Sequence, residues 1–465
     1  MRARWRLNLL AGSIAFAVAA SGILPLAAAA PAERPVTTRS AVNAELAERA
    51  PEEFREFYAA RNWSPLWLTD TGTVRPAVFA LLRDAEDAHL DGLRPGTLKT
   101  RDLRRALDRV GDRTPASRAR LELAASRVYA AYVSAVRAAA RAPMLYESAA
   151  LTPVVPATGA ALQEAERAPS LDHHVADMGW MHPLYAPLRR ALLQPDLGEA
   201  ERRIVEMNLE RIRALPAWPA DRYVLVDAAG QRLWMYEKGR PVDSMRVVVG
   251  KTAEPTPMMA GYLRFAILNP YWNVPVDLAA SRIARNVLDH GQSYLKAGRY
   301  QVLSGWDDDA TVVNPAKVDW HAVAEGRQEI RVRQLPGGTN FMGRVKFMFP
   351  NTLGIYLHDT PDKDLMQKDD RTFSSGCVRL EDASRFGRWL FGKPLPRKVA
   401  GAEKRVELPK PVPVYITYLT AFPESTGPAN ESAIAFRSDP YGRDGVSRAV
   451  PSVPAFSRDA VAAMR

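Results

Sequence analysis

Cysteine is almost absent from this chain: among 465 residues there is one, Cys377. An intramolecular disulfide is therefore excluded, and so is any Cys-x-x-Cys metal site. Histidine is also scarce, with seven. His173 and His174 are adjacent, so their side chains diverge, and no His-x-x-x-His occurs. No metal site is expected and no cofactor is implied. Beyond the N-terminus, no segment is apolar for long enough to cross a membrane. Lys and Arg outnumber Asp and Glu, 63 to 52, for a net charge of +11. These charges are scattered rather than clustered with aromatics, and there is no nucleic-acid motif. They suit a solubilising surface with mild steering toward anionic partners, not nucleic-acid binding. No internal repeat is found.

The first thirty residues have the pattern of an export signal. Arg2, Arg4 and Arg6 precede a largely apolar run from Leu9 to Leu26, and Ala27 to Ala30 offer small residues for cleavage. An uncleaved anchor is the rival reading, disfavoured by the proline and alanine punctuation. Residues 31–44, rich in Ala, Pro and Thr, are expected to form a flexible linker.

The remainder is expected to be an α+β chain: an N-terminal helical scaffold domain followed by a mainly β domain with a capping insertion. From 45 to 215 apolar residues recur at helical spacing, as in Glu45 to Ala60, Val78 to Leu90, Arg118 to Ala142 and Glu199 to Leu215. Residues 143–198 carry many prolines and little periodicity. This half is expected to carry no chemistry. The pattern changes at Tyr223. Tyr223 to Asp227, Arg232 to Glu237 and Pro241 to Gly250 alternate with turn residues and predict a meander. Further strands are expected at Tyr262 to Leu268, Glu329 to Val332, Val345 to Phe349, Gly354 to His358 and Val412 to Leu419, and a helix at Ala383 to Phe391. These place a β domain over 220–425. Residues 275–335 interrupt it with helical pieces and polar loops, and a lid over an active site is the expected role. Residues 440–465 are expected to be a flexible tail.

A lone thiol in a chain destined for an oxidising compartment is a liability unless it is buried and inert, or chemically needed. Cys377 follows Gly376 in Phe373-Ser374-Ser375-Gly376-Cys377-Val378-Arg379-Leu380, nineteen positions after His358 in Tyr356-Leu357-His358-Asp359. Sulfur attacks as thiolate, and a nearby imidazole can take its proton. His358, ending an apolar strand, is the candidate. Asp359 could orient the imidazole through its carbonyl or its side chain. The N–H groups of Gly376 and Cys377, with Ser375, are candidates for holding a developing oxyanion. Arg379 is placed either to fix the loop or to bind a substrate carboxylate. The competing reading is a small buried hydrophobe beside a structural histidine.

These residues resemble a known family. His358-Asp359-Thr360-Pro361, Arg371 and Ser374-Ser375-Gly376-Cys377-Val378-Arg379 resemble the signature of L,D-transpeptidases with a YkuD-type catalytic domain. Val247-Val248-Val249-Gly250-Lys251 with Thr256-Pro257, Asn269 to Pro275, Arg333 to Gly337, Gly343 to Phe347 and Asp439 to Asp444 resemble the large periplasmic subclass, which has a helical scaffold and a capping subdomain.

The resemblance implies a peptidoglycan cross-linking enzyme, in which Cys377 is the nucleophile and His358 the proton acceptor. Cys377 would attack a donor tetrapeptide stem after its third residue, expel the terminal D-alanine and pass the acyl group to an amine of a second stem, giving a 3→3 cross-link. Arg379, Tyr356 and Trp272 are then expected at the substrate, and carbapenem-type inhibitors are expected to acylate Cys377. Alternatives within the family deliver the same acyl group to water or to a lipoprotein lysine. A non-catalytic wall protein is the reading from outside it. The sequence departs from the family twice. Ser375 stands where many relatives have histidine, and Leu184 to Glu206 is too short for the small wall-binding module the subclass often carries.

Overall fold

The computed structural model describes residues 38–445 apart from 95, 139–141, 397 and 425–432. The expected export signal, residues 31–37 of the expected linker and residues 446–465 of the expected tail lie outside the described residues.

The N-terminal half is helical. In α1 (Thr38–Arg49), Val42 and Leu46 are buried four residues apart, and Ala50 just beyond continues the row. This apolar stripe packs on a later helix, so residues 38–44 are helix rather than the expected linker. The single helix expected over 45–60 is divided. Pro51 has no N–H to extend the ladder, and with φ −65° and ψ 159° it caps α2 (Glu52–Ala60) instead. α3 (Pro76–Glu86) and α4 (Thr100–Arg109) follow. The central helix is α5 (Pro115–Arg137), capped by Thr114 Oγ1, which accepts from the Ser117 N–H at 3.1 Å. Its buried Glu122 accepts from the N–H groups of Leu66 (2.5 Å) and Trp67 (2.9 Å) and from the Tyr58 hydroxyl (2.8 Å). The weakly periodic stretch 143–198 holds short helices: α6 (Thr158–Arg167), α7 (Leu171–Ala176) and α8 (Tyr185–Ala191). The half ends with α9 (Glu199–Arg213).

The second half begins with strands. β1 (Leu145–Tyr146), reached from the helical half, pairs in parallel with β5 (Met259–Leu268). β2 (Arg222–Asp227), β3 (Arg232–Glu237) and β4 (Arg240–Gly250) form the meander. β2 reads as a continuous apolar run because both its faces are buried. Tyr223 and Leu225 join Tyr236 and Tyr415 against the scaffold helices, while Val224 and Val226 point into the β core. At this seam the rings of Tyr223 and Tyr236 stack at 4.5 Å, and His182 shares a 3.1 Å hydrogen bond with the Tyr223 hydroxyl.

The insertion folds as a unit. β6 (Trp272–Val274), β7 (Tyr300–Leu303), β8 (Val312–Val313) and β9 (Arg331–Gln334) make a separate sheet in the order β6-β9-β7-β8. It packs on α10 (Val276–Leu278), a π-helical stretch Ala279–Ala284, α11 (Arg285–His290), α12 (Ser293–Ala297) and α13 (Trp320–Ala324). Trp272, Ile283, Val302, Trp320 and Val332 form its own core, which reaches to Met342.

The chain then returns through β10 (Val345–Met348), β11 (Leu357–His358), β12 (Thr372–Ser374) and β13 (Val378–Leu380), followed by α14 (Ala383–Phe391) and the long β14 (Lys404–Thr417). β14 pairs with both β2 and β5, so the sheet closes through β5-β10-β11-β13-β4-β3-β2-β14 and leaves the ring without a free edge. Residues 439–444, expected in or beside a flexible tail, are docked. The Asp444 carboxylate meets Arg211 at 2.7 Å, Arg211 also donates to the Arg443 carbonyl at 2.8 Å, and the Tyr441 hydroxyl donates to the Gly250 carbonyl at 2.7 Å. Among the described residues no helix is long and apolar enough to cross a membrane.

Candidate active site

The parallel pairing of β11 with β13 sets the site. Leu357 lies opposite Val378 and His358 opposite Arg379, and the Val378 N–H donates to the Tyr356 carbonyl at 3.1 Å. Side chains two apart on a strand share a face. Continued by one residue, this register places Tyr356 and His358 on the same face as Cys377 and Arg379, with Cys377 and His358 at diagonal positions. The rings of Tyr356 and His358 meet edge-on at 5.8 Å.

His358 is buried, and its Nδ1 donates to the backbone carbonyl of Asp359 at 2.6 Å. That bond leaves Nε2 as the ring's acceptor nitrogen. The Asp359 carboxylate is committed elsewhere, to the Arg344 N–H at 2.9 Å and Lys363 Nζ at 2.8 Å. Of the two roles the sequence allowed Asp359, its carbonyl is the one in contact with the imidazole. Burial pushes His358 down to about 3, with the Arg379 guanidinium adding to the effect. Burial also pushes the Cys377 thiol up to about 11, opposed by the Tyr356 N–H and by Arg379. Each shift favours the neutral form of its group.

The turn that carries the thiol is held from several sides. Gly376 has φ +102°, a region that favours glycine, and a Cβ there would press Ile355 at 3.1 Å. The Ser374 hydroxyl donates to the Cys377 carbonyl at 2.6 Å, and the thiol points to the Gly354 carbonyl at 3.8 Å. Among the described residues no acceptor meets the N–H of Gly376 or Cys377. Ser375 is exposed and Cys377 half-buried, within reach of a ligand.

His358, Tyr356, Ser375, Gly376, Cys377, Arg379 and Trp272 line one cavity of about 2490 Å³. This exceeds the roughly 300–1,000 Å³ typical of a small-molecule site. The cap supplies one wall through Trp272, Arg282 and Phe341, although most of Trp272 is packed in the cap core beside Phe341 at 4.8 Å. The helical half, expected to carry no chemistry, supplies another wall through Tyr185, Arg203 and Glu206. Arg379 is largely buried, its Nε has no hydrogen-bond partner among the described residues, and its guanidinium lies 3.8 Å from the Asp362 carboxylate. A carboxylate arriving from the cavity would complete it.

Residues 221–399 match a family model described as the L,D-transpeptidase catalytic domain, YkuD, and residues 52–192 match a Scaffold domain. The β half is a YkuD-type L,D-transpeptidase domain. A Haemophilus influenzae protein provisionally described as an L,D-transpeptidase is 31% identical over 226 residues, which are 47% of this chain and 45% of that protein. The chain thus spans about half the length of the curated relative it matches. Solved structures similar to part of this chain include an L,D-transpeptidase from Mycobacterium smegmatis (12% identity, 43% of this chain, 59% of that one, TM-score 0.21). Another is the catalytic domain of the E. faecium enzyme (18% identity, 42% of this chain, 96% of that one, TM-score 0.19).

Sequence reasoning did not single out Lys346 or Thr256 individually. Lys346 is nearly buried, lines the same cavity and meets Glu403 at 3.4 Å. A lysine within the otherwise apolar Val345–Met348 strand was the available signal. Thr256 is fully buried beneath the thiol turn and donates to the Gly376 carbonyl at 2.8 Å. Nothing in its local sequence marks that contact.

Proposed function

We propose that this protein is a peptidoglycan L,D-transpeptidase that forms 3→3 cross-links through a thioester on Cys377, working in the periplasm after export. The observation that carries the reading is an imidazole fixed through Nδ1 on the Asp359 carbonyl, at a position diagonal to a half-buried thiol, with both residues lining one large capped cavity. In the proposed reaction, His358 Nε2 takes the thiol proton as sulfur bonds to the carbonyl carbon after the third stem residue. The oxyanion forms against the N–H groups of Gly376 and Cys377. Collapse breaks the amide; the imidazolium returns its proton to the departing D-alanine amine. An amine of a second stem then attacks the thioester, gives its proton to His358 and releases the thiol. Arg379 receives a stem carboxylate, while Tyr356 and the edge of Trp272 border the chain. Carbapenem-type inhibitors would acylate the same sulfur.

Mass spectrometry of muropeptides incubated with wild type and Cys377→Ala tests this. Cross-linked dimers from the wild type alone are the expected result. Tripeptide without dimer would shift the reading to hydrolysis, and transfer to a lipoprotein lysine would be read from the adduct mass. Full turnover by the mutant would remove Cys377 from the reaction.

A further inference from the structure

The peptide plane between Gly376 and Cys377 is fixed from behind by a residue that never reaches the cavity. Thr256 Oγ1 accepts the Gly250 N–H at 2.8 Å, so its single proton is directed to the Gly376 carbonyl, also at 2.8 Å. A trans peptide holds its C=O and N–H in one plane, pointing in opposite directions. Pinning the Gly376 carbonyl toward Thr256 therefore aims the Cys377 N–H away from it, toward the cavity, and that N–H has no acceptor among the described residues. The next plane is fixed as well, by Ser374 on the Cys377 carbonyl and by the Tyr356 carbonyl on the Val378 N–H. Both planes flanking the nucleophile are thus set by groups outside the turn.

Thr256 is itself held. Its N–H donates to the Tyr441 hydroxyl at 3.3 Å, and that hydroxyl donates to the Gly250 carbonyl at 2.7 Å. Gly250 allows the close approach, since a Cβ there would meet the Glu254 carbonyl and the Thr256 nitrogen. Tyr441 is carried by the docked segment whose Asp444 is anchored on Arg211 of α9.

We propose that Thr256 is the positioning residue of the oxyanion site, aiming the Cys377 N–H through its bond to the Gly376 carbonyl, with Tyr441 as its support. The proposal rests on the reading of Cys377 as the acylated nucleophile. Two reactions of the same sulfur separate positioning of the N–H from general damage. Acylation by a β-lactam passes through a tetrahedral oxyanion; alkylation by iodoacetamide does not. Thr256→Val keeps the shape and removes the donor. The expected result is acylation slowed about 10²-fold, the scale of losing one oxyanion donor, with the concentration for half-maximal rate and the alkylation rate each within twofold of wild type. Thr256→Ser should restore acylation to within a few-fold. Tyr441→Phe, which leaves the threonine hydroxyl in place, should show the same selective loss at smaller size, and it serves should the valine variant fail to fold. Equal loss of acylation and alkylation, no loss of acylation, or no rescue by serine would overturn the proposal. Alkylation without any acylation in the wild type would overturn the acyl-enzyme reading itself.

Discussion

His358 is oriented by the main chain of Asp359 and not by its carboxylate: Nδ1 lies 2.6 Å from the carbonyl, while the acid side chain serves Arg344 and Lys363. In a triad oriented by a carboxylate, converting the acid to its amide costs about 10⁴ in rate through the wrong imidazole tautomer. Here Asp359→Asn should lower kcat/KM by less than about tenfold, since the orienting carbonyl survives. A loss near that of the carboxylate triad would show that the side chain matters to the imidazole after all.

The neutral thiol and imidazole make a pH prediction. With Cys377 near 11 and His358 near 3, the thiolate fraction rises with pH across the whole neutral range. The iodoacetamide rate should climb about tenfold per pH unit through neutrality with no step near pH 6. A plateau at neutral pH would reveal a resting ion pair. His358→Ala should slow acylation at pH 7 by about 10²–10⁴-fold and approach wild type as the pH nears the thiol's own range.

His182 lies at the seam between the scaffold and the transpeptidase domain. Its Nε2 donates to the Tyr223 hydroxyl and its Nδ1 accepts the Leu184 N–H, so the ring is bonded as a neutral imidazole, and burial pushes it down to about 3. A depressed histidine favours folding above its unfolded value near 6.5, and that contribution is lost as pH falls from there toward 3. At pH 5 the loss is roughly 2 kcal/mol from this group. His358, also depressed, acts in the same direction. Urea unfolding at pH 7 and pH 5 should show the decline, and His182→Phe should flatten it. An unchanged slope in the variant would rule out His182 as the source.

Glu122 acts in the opposite sense. Burial pushes its carboxyl up to about 7, so its preference for the folded state is full below the unfolded value and lost as pH rises toward 7. Its two oxygens nevertheless receive three donors. Glu122→Gln puts an NH₂ against one of those donors and should cost about 1–3 kcal/mol, read as a lower urea midpoint. Equal stability would mean the pocket rearranges around the amide.

Where one local pattern decides the structure, the sequence was readable. Tyr223 to Asp227 and Arg232 to Glu237 fall on β2 and β3 because turn residues bound them, and Ala383 to Phe391 is α14, opened by Asp382 accepting from the Arg385 N–H. The pairing of His358 with Cys377 was inferred from residue chemistry, and the β11–β13 register brings them to one face. What stayed hidden depends on distant partners. The helix over 38–44 is stabilised by burial of Val42 and Leu46, which an Ala- and Thr-rich composition conceals. Ring closure depends on β14 meeting both β2 and β5, a relation between segments far apart in the chain. The scaffold's share of the cavity, and the engagement of Asp439 to Asp444, likewise arise only once the domains pack together.

The path from Arg211 through Asp444 and Tyr441 to Thr256 also ties the turn beneath the thiol to a helix of the other half of the molecule. The support beneath the thiol is encoded near the end of the described chain, downstream of every strand in the ring. A chain ending before Asp439 would therefore keep every strand of the ring and still lose the Tyr441 hydroxyl from Thr256 and Gly250.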